Sequence, residues 1–136
     1  MELALSEVGD RWALLIVDAL MRGPRRFNDL QTDVRGIASN VLTTRLGQLE
    51  ERNIVLASAY SERPPRFSYE LTGEGRELAG TLRLLRSWGA LRHGAGSSQV
   101  RPVEHAACGT PLVPRWWCGT CDRAVDEDEE EQLLYL

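Results

Sequence analysis

Apolar residues in the first half of the chain recur at helical spacing. Residues 2–8, ELALSEV, predict a short helix with Leu3, Leu5 and Val8 as its apolar positions. Asp10 is placed to cap a second helix, RWALLIVDALMR, with an inner stripe of Trp12, Leu15, Ile16, Ala19 and Leu20, widened by Leu14 and Val17. Gly23-Pro24 stops that helix. After a short extended piece at 25–27, Asn28 and Gln31 suit a capping box for a third helix. It runs to about Val34 and buries Leu30 and Val34. A turn at Arg35-Gly36 leads into a fourth helix within GIASNVLTTRLGQLEERNI, residues 36–54.

The two faces of that fourth helix differ in kind. Ile37, Leu42, Leu46 and Leu49 form an apolar stripe, with Ile54 just past the end. Asn40, Thr43, Thr44 and Gly47 fall at i, i+3, i+4 and i+7 on the other side, short, polar and uncharged. Arg45, Gln48 and Arg52 form a donor-rich flank beside them. A helix that merely faces solvent ordinarily carries mixed charge. Amides, hydroxyls and one Arg instead suit the base edges of a DNA major groove, where Asn pairs with adenine, Arg with guanine, and Thr methyls touch thymine. Two short helices joined by a Gly-containing turn make a helix-turn-helix pattern.

The period then changes to two. IVLASAY (54–60) puts Ile54, Leu56, Ser58 and Tyr60 on one face, and FSYEL (67–71) puts Phe67, Tyr69 and Leu71 on one face. The connector SERPPR (61–66) predicts a protruding hairpin tip in which Pro64-Pro65 hold Arg63 and Arg66 outward. Such a wing reaches a phosphate or the neighbouring minor groove. Thr72 suits the cap of a last helix over roughly 73–93. Its stripes, Leu78, Leu82, Leu85, Gly89 and Leu84, Trp88, Leu91, are together too wide for one small domain to cover. Part of that surface is expected to meet a second protomer.

Length and charge refine this picture. At 136 residues the chain suits one domain with a small appendage. It has no apolar run of about 20 residues and no basic-then-apolar leader pattern, so a cytoplasmic location and no membrane partner are expected. The net charge of −4 hides a division. Residues 22–66 carry 8 Arg against 5 acidic groups, whereas 105–136 carry 2 Arg against 7. A local basic patch is what DNA binding needs.

GDRWALLI (9–16), RRFNDLQ (25–31), GIASNVLTTRLGQLEERNIV (36–55) and YSERPPRFSYELTGEGREL (60–78) together resemble the HxlR family of winged-helix transcription regulators. The resemblance covers about residues 5–92. It implies a homodimer, joined through residues 2–8 and 73–93, that binds pseudo-palindromic double-stranded operator DNA. It places Asn40, Thr43, Thr44 and Arg45 on the recognition helix, with Ser39 and Gln48 beside them, and Arg63 and Arg66 on the wing. A small-molecule effector is left unassigned. Ala38 stands where the family usually has a capping Ser, which passes the cap to Ser39 with a shifted start. The sensor Cys many members carry near the first helices is missing, since Cys108 is the first cysteine.

Beyond the resemblance, HGAGSSQVRP (93–102) has linker composition, giving a linker over 93–104. His105, Cys108, Cys118 and Cys121 follow as H-x2-C-x9-C-x2-C, the spacing of a structural zinc site in a ribbon over 105–125. Two rivals stand beside zinc. WCGTC resembles the redox centre of thioredoxins, although about 30 residues cannot supply that fold, and the three thiols could share no site at all. DEDEEE (126–131) belongs to an acidic tail over 126–136, expected to be solvated, with competition against DNA for Arg63 and Arg66 as its functional alternative. No catalytic constellation emerges, so neither an enzyme nor an organic cofactor is expected. The fold expected is mainly α with a small β-hairpin wing, a winged helix-turn-helix over 1–92, plus a small Cys3His ribbon. The alternative function is a protein-interaction module that grips a partner through the ribbon and tail.

Overall fold

The computed structural model describes residues 1–62, 65–93, 104–112, 115–125 and 129. They divide into two compact units, Met1–Leu85 and Arg86–Leu136. The first unit begins with α1 (Glu2–Val8) and α2 (Arg11–Leu20). Asp10 caps α2 as expected: its Oδ1 accepts from the Trp12 and Ala13 amides at 2.9 and 3.2 Å. The buried stripe of α2 is Ala13, Ile16, Val17, Ala19 and Leu20. Leu15, expected on that stripe, is 40% exposed, so the helix is rolled slightly from the anticipated face.

β1 (Arg25–Arg26) leads directly into α3 (Phe27–Asp33). The expected Asn28 cap is replaced. β1 pairs with Tyr69 and Ser68, which holds Arg26 extended as the cap and starts the helix at Phe27, two residues earlier than an Asn28 cap would. Asp29 then accepts from the Arg26 amide at 3.0 Å. Gln31 does not close a capping box; its Nε2 donates to Ser39 Oγ at 2.6 Å and ties α3 to the next helix.

That next helix is α4 (Ser39–Glu51). Ala38 occupies the cap position and no side chain caps it, so Ser39 does not take over the cap; it is the first helical residue, with its hydroxyl on Gln31. Asn53, at φ 56°, ends α4 in the left-handed region that Asn tolerates. The Ile54 amide returns to the Leu49 carbonyl at 2.9 Å and the Asn53 amide to Glu50 at 3.0 Å, a Schellman closure with Leu49 and Ile54 both buried.

β2 (Val55–Glu62) and β3 (Pro65–Leu71) form the hairpin, and the sheet order is β1-β3-β2, all antiparallel. Val55 pairs with Leu71 and Ala57 with Tyr69, and a register shift occurs between Ala59 and Ser61. Because Ile54 is spent on closing α4, the inward strand positions start at Val55. Leu56, on the alternation that begins at Ile54, is 51% exposed, whereas Val55 and Leu71 are buried.

The single last helix expected over 73–93 is two: α5 (Gly73–Glu77) and α6 (Ala79–His93). Thr72 caps α5 by accepting from the Gly75 amide at 3.0 Å, and its hydroxyl donates to the Asn53 carbonyl at 2.6 Å. Any Cβ at Gly75 would collide with the Ile54 carbonyl, so this crossing of α5 over the end of α4 requires glycine. One core results, built from Ile16, Val17, Leu30, Leu42, Leu46, Leu49, Val55 and Leu71, with Leu82 of α6 at its edge.

The second unit contains a β-bridge between Glu104 and Pro111, and a hairpin of β4 (Trp117–Cys118) and β5 (Arg123–Ala124). Its described residues include no buried side chain. Residues 94–103 of the expected linker lie outside the described residues, as does the expected tail apart from Glu129, which takes Arg123 Nη2 at 2.7 and 3.0 Å. Among the described residues no helix is long and apolar enough to cross a membrane.

The two faces of α4 should separate in stability. Leu42→Ala removes a side chain with no exposure, and equilibrium urea unfolding should show a loss of about 2–5 kcal/mol. Asn40→Ala, on the exposed side, should stay within about 0.5 kcal/mol.

Candidate nucleic-acid interface

With its leucines sealed inside, α4 presents Ser39, Asn40, Thr43 and Thr44 to solvent. The threonine hydroxyls are already used. Thr43 Oγ1 donates to the Ser39 carbonyl and Thr44 Oγ1 to the Asn40 carbonyl, both at 2.9 Å. These back-bonds leave the hydroxyl lone pairs and the methyl groups as what the two side chains can offer a partner. Asn40 adds an exposed amide, both donor and acceptor. The face is therefore neutral and small, and a backbone or a base edge can approach it closely.

The donor-rich flank behaves differently. Arg45 is half-buried and turned toward α2. Its Nη2 donates to Asp10 Oδ2 at 3.1 Å and its Nη1 to Gln48 Oε1 at 2.7 Å. Its Nε lies 2.9 Å from Asp10 Oδ1, an ion-pair distance, but off the direction of its N–H. Asp10 thus joins two helices: one oxygen holds the N-terminus of α2, and both face the guanidinium carried by α4. Arg52 reaches α1 instead, pairing with Glu7 at 3.4 Å and donating to the Glu7 carbonyl. Arg45 and Gln48 are thereby held by the molecule itself, while Asn40, Thr43 and Thr44 remain open.

On the wing, Arg66 is exposed on β3 opposite Ser61. Arg63 and Pro64 lie outside the described residues. Arg66 shares an open groove with Arg26, Asn28, Tyr60 and Phe67. Arg26 stacks over the Tyr60 ring at 4.7 Å, which holds a second guanidinium beside the wing. Sequence reasoning read Asn28 only as a helix cap and gave neither it nor Arg26 a place at the interface. The available signal was Arg25-Arg26 directly before a helix, but only the β1–β3 pairing brings it next to the hairpin.

The four expected zinc ligands form two pairs. His105 Nδ1 lies 3.3 Å from Cys108 Sγ. Cys118 and Cys121 share a side-chain hydrogen bond, and the backbone amides of Cys121 and Thr120 also reach the Cys118 sulfur. Those hydrogen bonds hold the Cys118 thiol below its ordinary range, while the Cys118 sulfur pushes Cys121 above it. Thr110, through hydroxyl and amide, lowers Cys108 likewise. Among the described residues no three His, Cys, Asp or Glu side chains come together as a metal-binding group. All three cysteines are free of disulfides.

A family model described as HxlR-like helix-turn-helix matches residues 7–95. An uncharacterised HTH-type transcriptional regulator of Mycobacterium tuberculosis, MT3179, is 34% identical over 122 residues, 90% of this chain and 77% of that protein. The HTH-type transcriptional regulator YodB of Bacillus subtilis is 35% identical over 88 residues, 65% of this chain and 79% of that one. Among solved structures, PA1374 of Pseudomonas aeruginosa, assigned as a transcription factor, has a TM-score of 0.71 at 30% identity and covers 97% of this chain and 87% of its own. That likeness extends past the residues the family model reaches.

The Asp10–Arg45 contact should show as coupling. The pair is about one-third exposed, so its strength is that of a screened ion pair. A double-mutant cycle of Asp10→Ala and Arg45→Ala in urea unfolding should give about 0.5–1 kcal/mol. Strict additivity would mean that the contact does not hold α4 to α2.

Proposed function

Since this chain belongs to the HxlR-like helix-turn-helix family, we propose that it is a transcriptional regulator that binds a specific pseudo-palindromic DNA operator as a homodimer. The observation that carries the reading is the neutral, exposed Asn40–Thr43–Thr44 face on a helix whose opposite side is fully buried. A major groove admits an α-helix, and the helix must be anchored from behind to meet it rigidly. Asn40 pairs with adenine, and the Thr43 and Thr44 methyls pack on thymine. Arg66 meets phosphate or the flanking minor groove, and the same role is proposed for Arg63, which lies outside the described residues. Ser39 follows as a contact at the helix N-terminus. Arg45 and Gln48 act by setting the angle of α4, or reach the duplex only by leaving Asp10.

The apolar surface of the first unit supports the dimer. Leu3 and Leu5 of α1 are 85% and 58% exposed, and Leu84 and Leu85 of α6 are 44% and 48% exposed. A second copy covering residues 2–8 and 73–93 would remove these side chains from water. The names of the relatives, MT3179 and YodB among them, agree with the regulatory role.

The operator can be found by selecting duplexes from a random pool with the purified chain. A palindromic consensus and a steep fall of affinity with salt are expected; salt-independent binding, or no enrichment, overturns the reading. On that operator Thr43→Ala should weaken binding by about 1 kcal/mol, whereas Thr43→Val, which keeps the outward methyl, should lose far less. Arg66→Ala should weaken all duplexes alike and reduce the log–log salt slope by about 1. Sedimentation should show a dimer at micromolar concentration, and a strict monomer there overturns the two-copy arrangement.

A further inference from the structure

The described side chains of the second unit do not explain its order. None of its described residues is buried, and Leu112, Trp116 and Trp117 are 52%, 55% and 63% exposed. No disulfide crosses it. A segment this short without a core needs a crosslink, a metal or a partner. The chain nevertheless forms two tight turns here, and they are alike. In the first, the His105 carbonyl accepts from the Cys108 and Gly109 amides at 3.1 and 2.7 Å, and Gly109 is left-handed at φ 69°. In the second, Cys118 and Cys121 close the β4–β5 hairpin, and Asp122 is left-handed at φ 52°.

Each turn therefore reads ligand, two residues, ligand, then a left-handed residue. Each lies between short antiparallel pairings, Glu104–Pro111 for one and Trp117–Ala124 with Cys118–Arg123 for the other. Within each turn the two donor side chains already approach one another, His105 to Cys108 at 3.3 Å and Cys121 to Cys118 through their hydrogen bond.

We propose that the C-terminal unit binds one structural zinc ion through His105, Cys108, Cys118 and Cys121. Three thiolates and one imidazole are a soft, tetrahedral donor set that suits Zn2+ above the harder divalent cations. Two ligands from each turn fill all four positions, which leaves no open site for chemistry. The ion displaces the thiol protons to solvent and leaves a formal charge of −1 on the site. As the two turns stand apart here, with no three donors together, binding draws them onto one centre. Metal binding and ordering of 104–125 are then one event.

The full chain, purified with reductant, loaded with zinc and freed of excess, is analysed for metal. One zinc per chain is expected. Replacement by Co2+ should give the intense visible bands of a tetrahedral site and a thiolate charge-transfer band. Every basic residue is Arg, so trypsin reports on the segment directly. Cleavage after Arg115 and Arg123 should be at least ten-fold slower with zinc than after chelation. His105→Ala and Cys118→Ser should lose stoichiometric zinc, and His105→Cys should keep it. No stoichiometric zinc, one zinc per two chains, full retention in both loss variants, or octahedral cobalt spectra would each overturn the assignment. So would a Cys118–Cys121 disulfide in protein kept reduced throughout. Loss of operator binding alone bears only on the DNA reading, since metal content and proteolysis are measured without DNA.

Discussion

Leu42, Leu46 and Leu49 are sealed against α2, α3 and the sheet, and each such side chain contributes about 1.5–3 kcal/mol by leaving water. That burial fixes the rotation of α4 about its axis. A roll of one residue, about 100°, would pull this stripe into solvent, so the polar residues on the opposite side have no freedom to hide. Asn40, Thr43 and Thr44 are exposed because the leucines are not. The remaining devices serve the same end. The Schellman closure at Asn53 terminates α4, Gly75 lets α5 cross that end, and Gln31 fixes where α4 begins relative to α3.

Asp10 shows how one carboxylate can serve two levels of structure. As a helix cap it satisfies amides that α2 leaves unpaired at its start. As the partner of Arg45 it reaches a helix 35 residues away in sequence. The guanidinium therefore acts between α2 and α4, and Gln48 completes its coordination. This changes the balance of the α4 surface. With its Arg held back, the outward face depends on one amide and two methyl groups, which favours recognition by shape and apolar contact over charge. Positive charge is supplied from the side, by Arg66 on the hairpin and Arg26 stacked on Tyr60.

The two units of the chain rest on different physics. The first closes a core of aliphatic side chains and needs no crosslink. Among the described residues of the second, none is buried. The zinc ion proposed for its two donor pairs would supply order there. The family model ends at residue 95, whereas the likeness to PA1374 covers 97% of the chain.

Much of the first unit could be read from spacing. The helix-turn-helix, the Asp10 cap, the apolar stripe of α4 with its uncharged opposite face, and the hairpin with Arg near its tip all follow from local periodicity and turn chemistry. These depend on neighbours within a few positions, and a linear pattern carries that information. What the pattern could not supply were contacts between distant segments. Pairing of Arg25-Arg26 with β3 moved the start of α3, and closure of α4 by Ile54 shifted the inward strand positions to Val55. The Asp10–Arg45 contact withdrew the most polar candidate from the exposed face. The strand pairing and the ion pair arise from partners far apart along the chain, where the competition among many possible pairings is settled by three-dimensional fit, whereas the Ile54 closure spans only the five residues from Leu49.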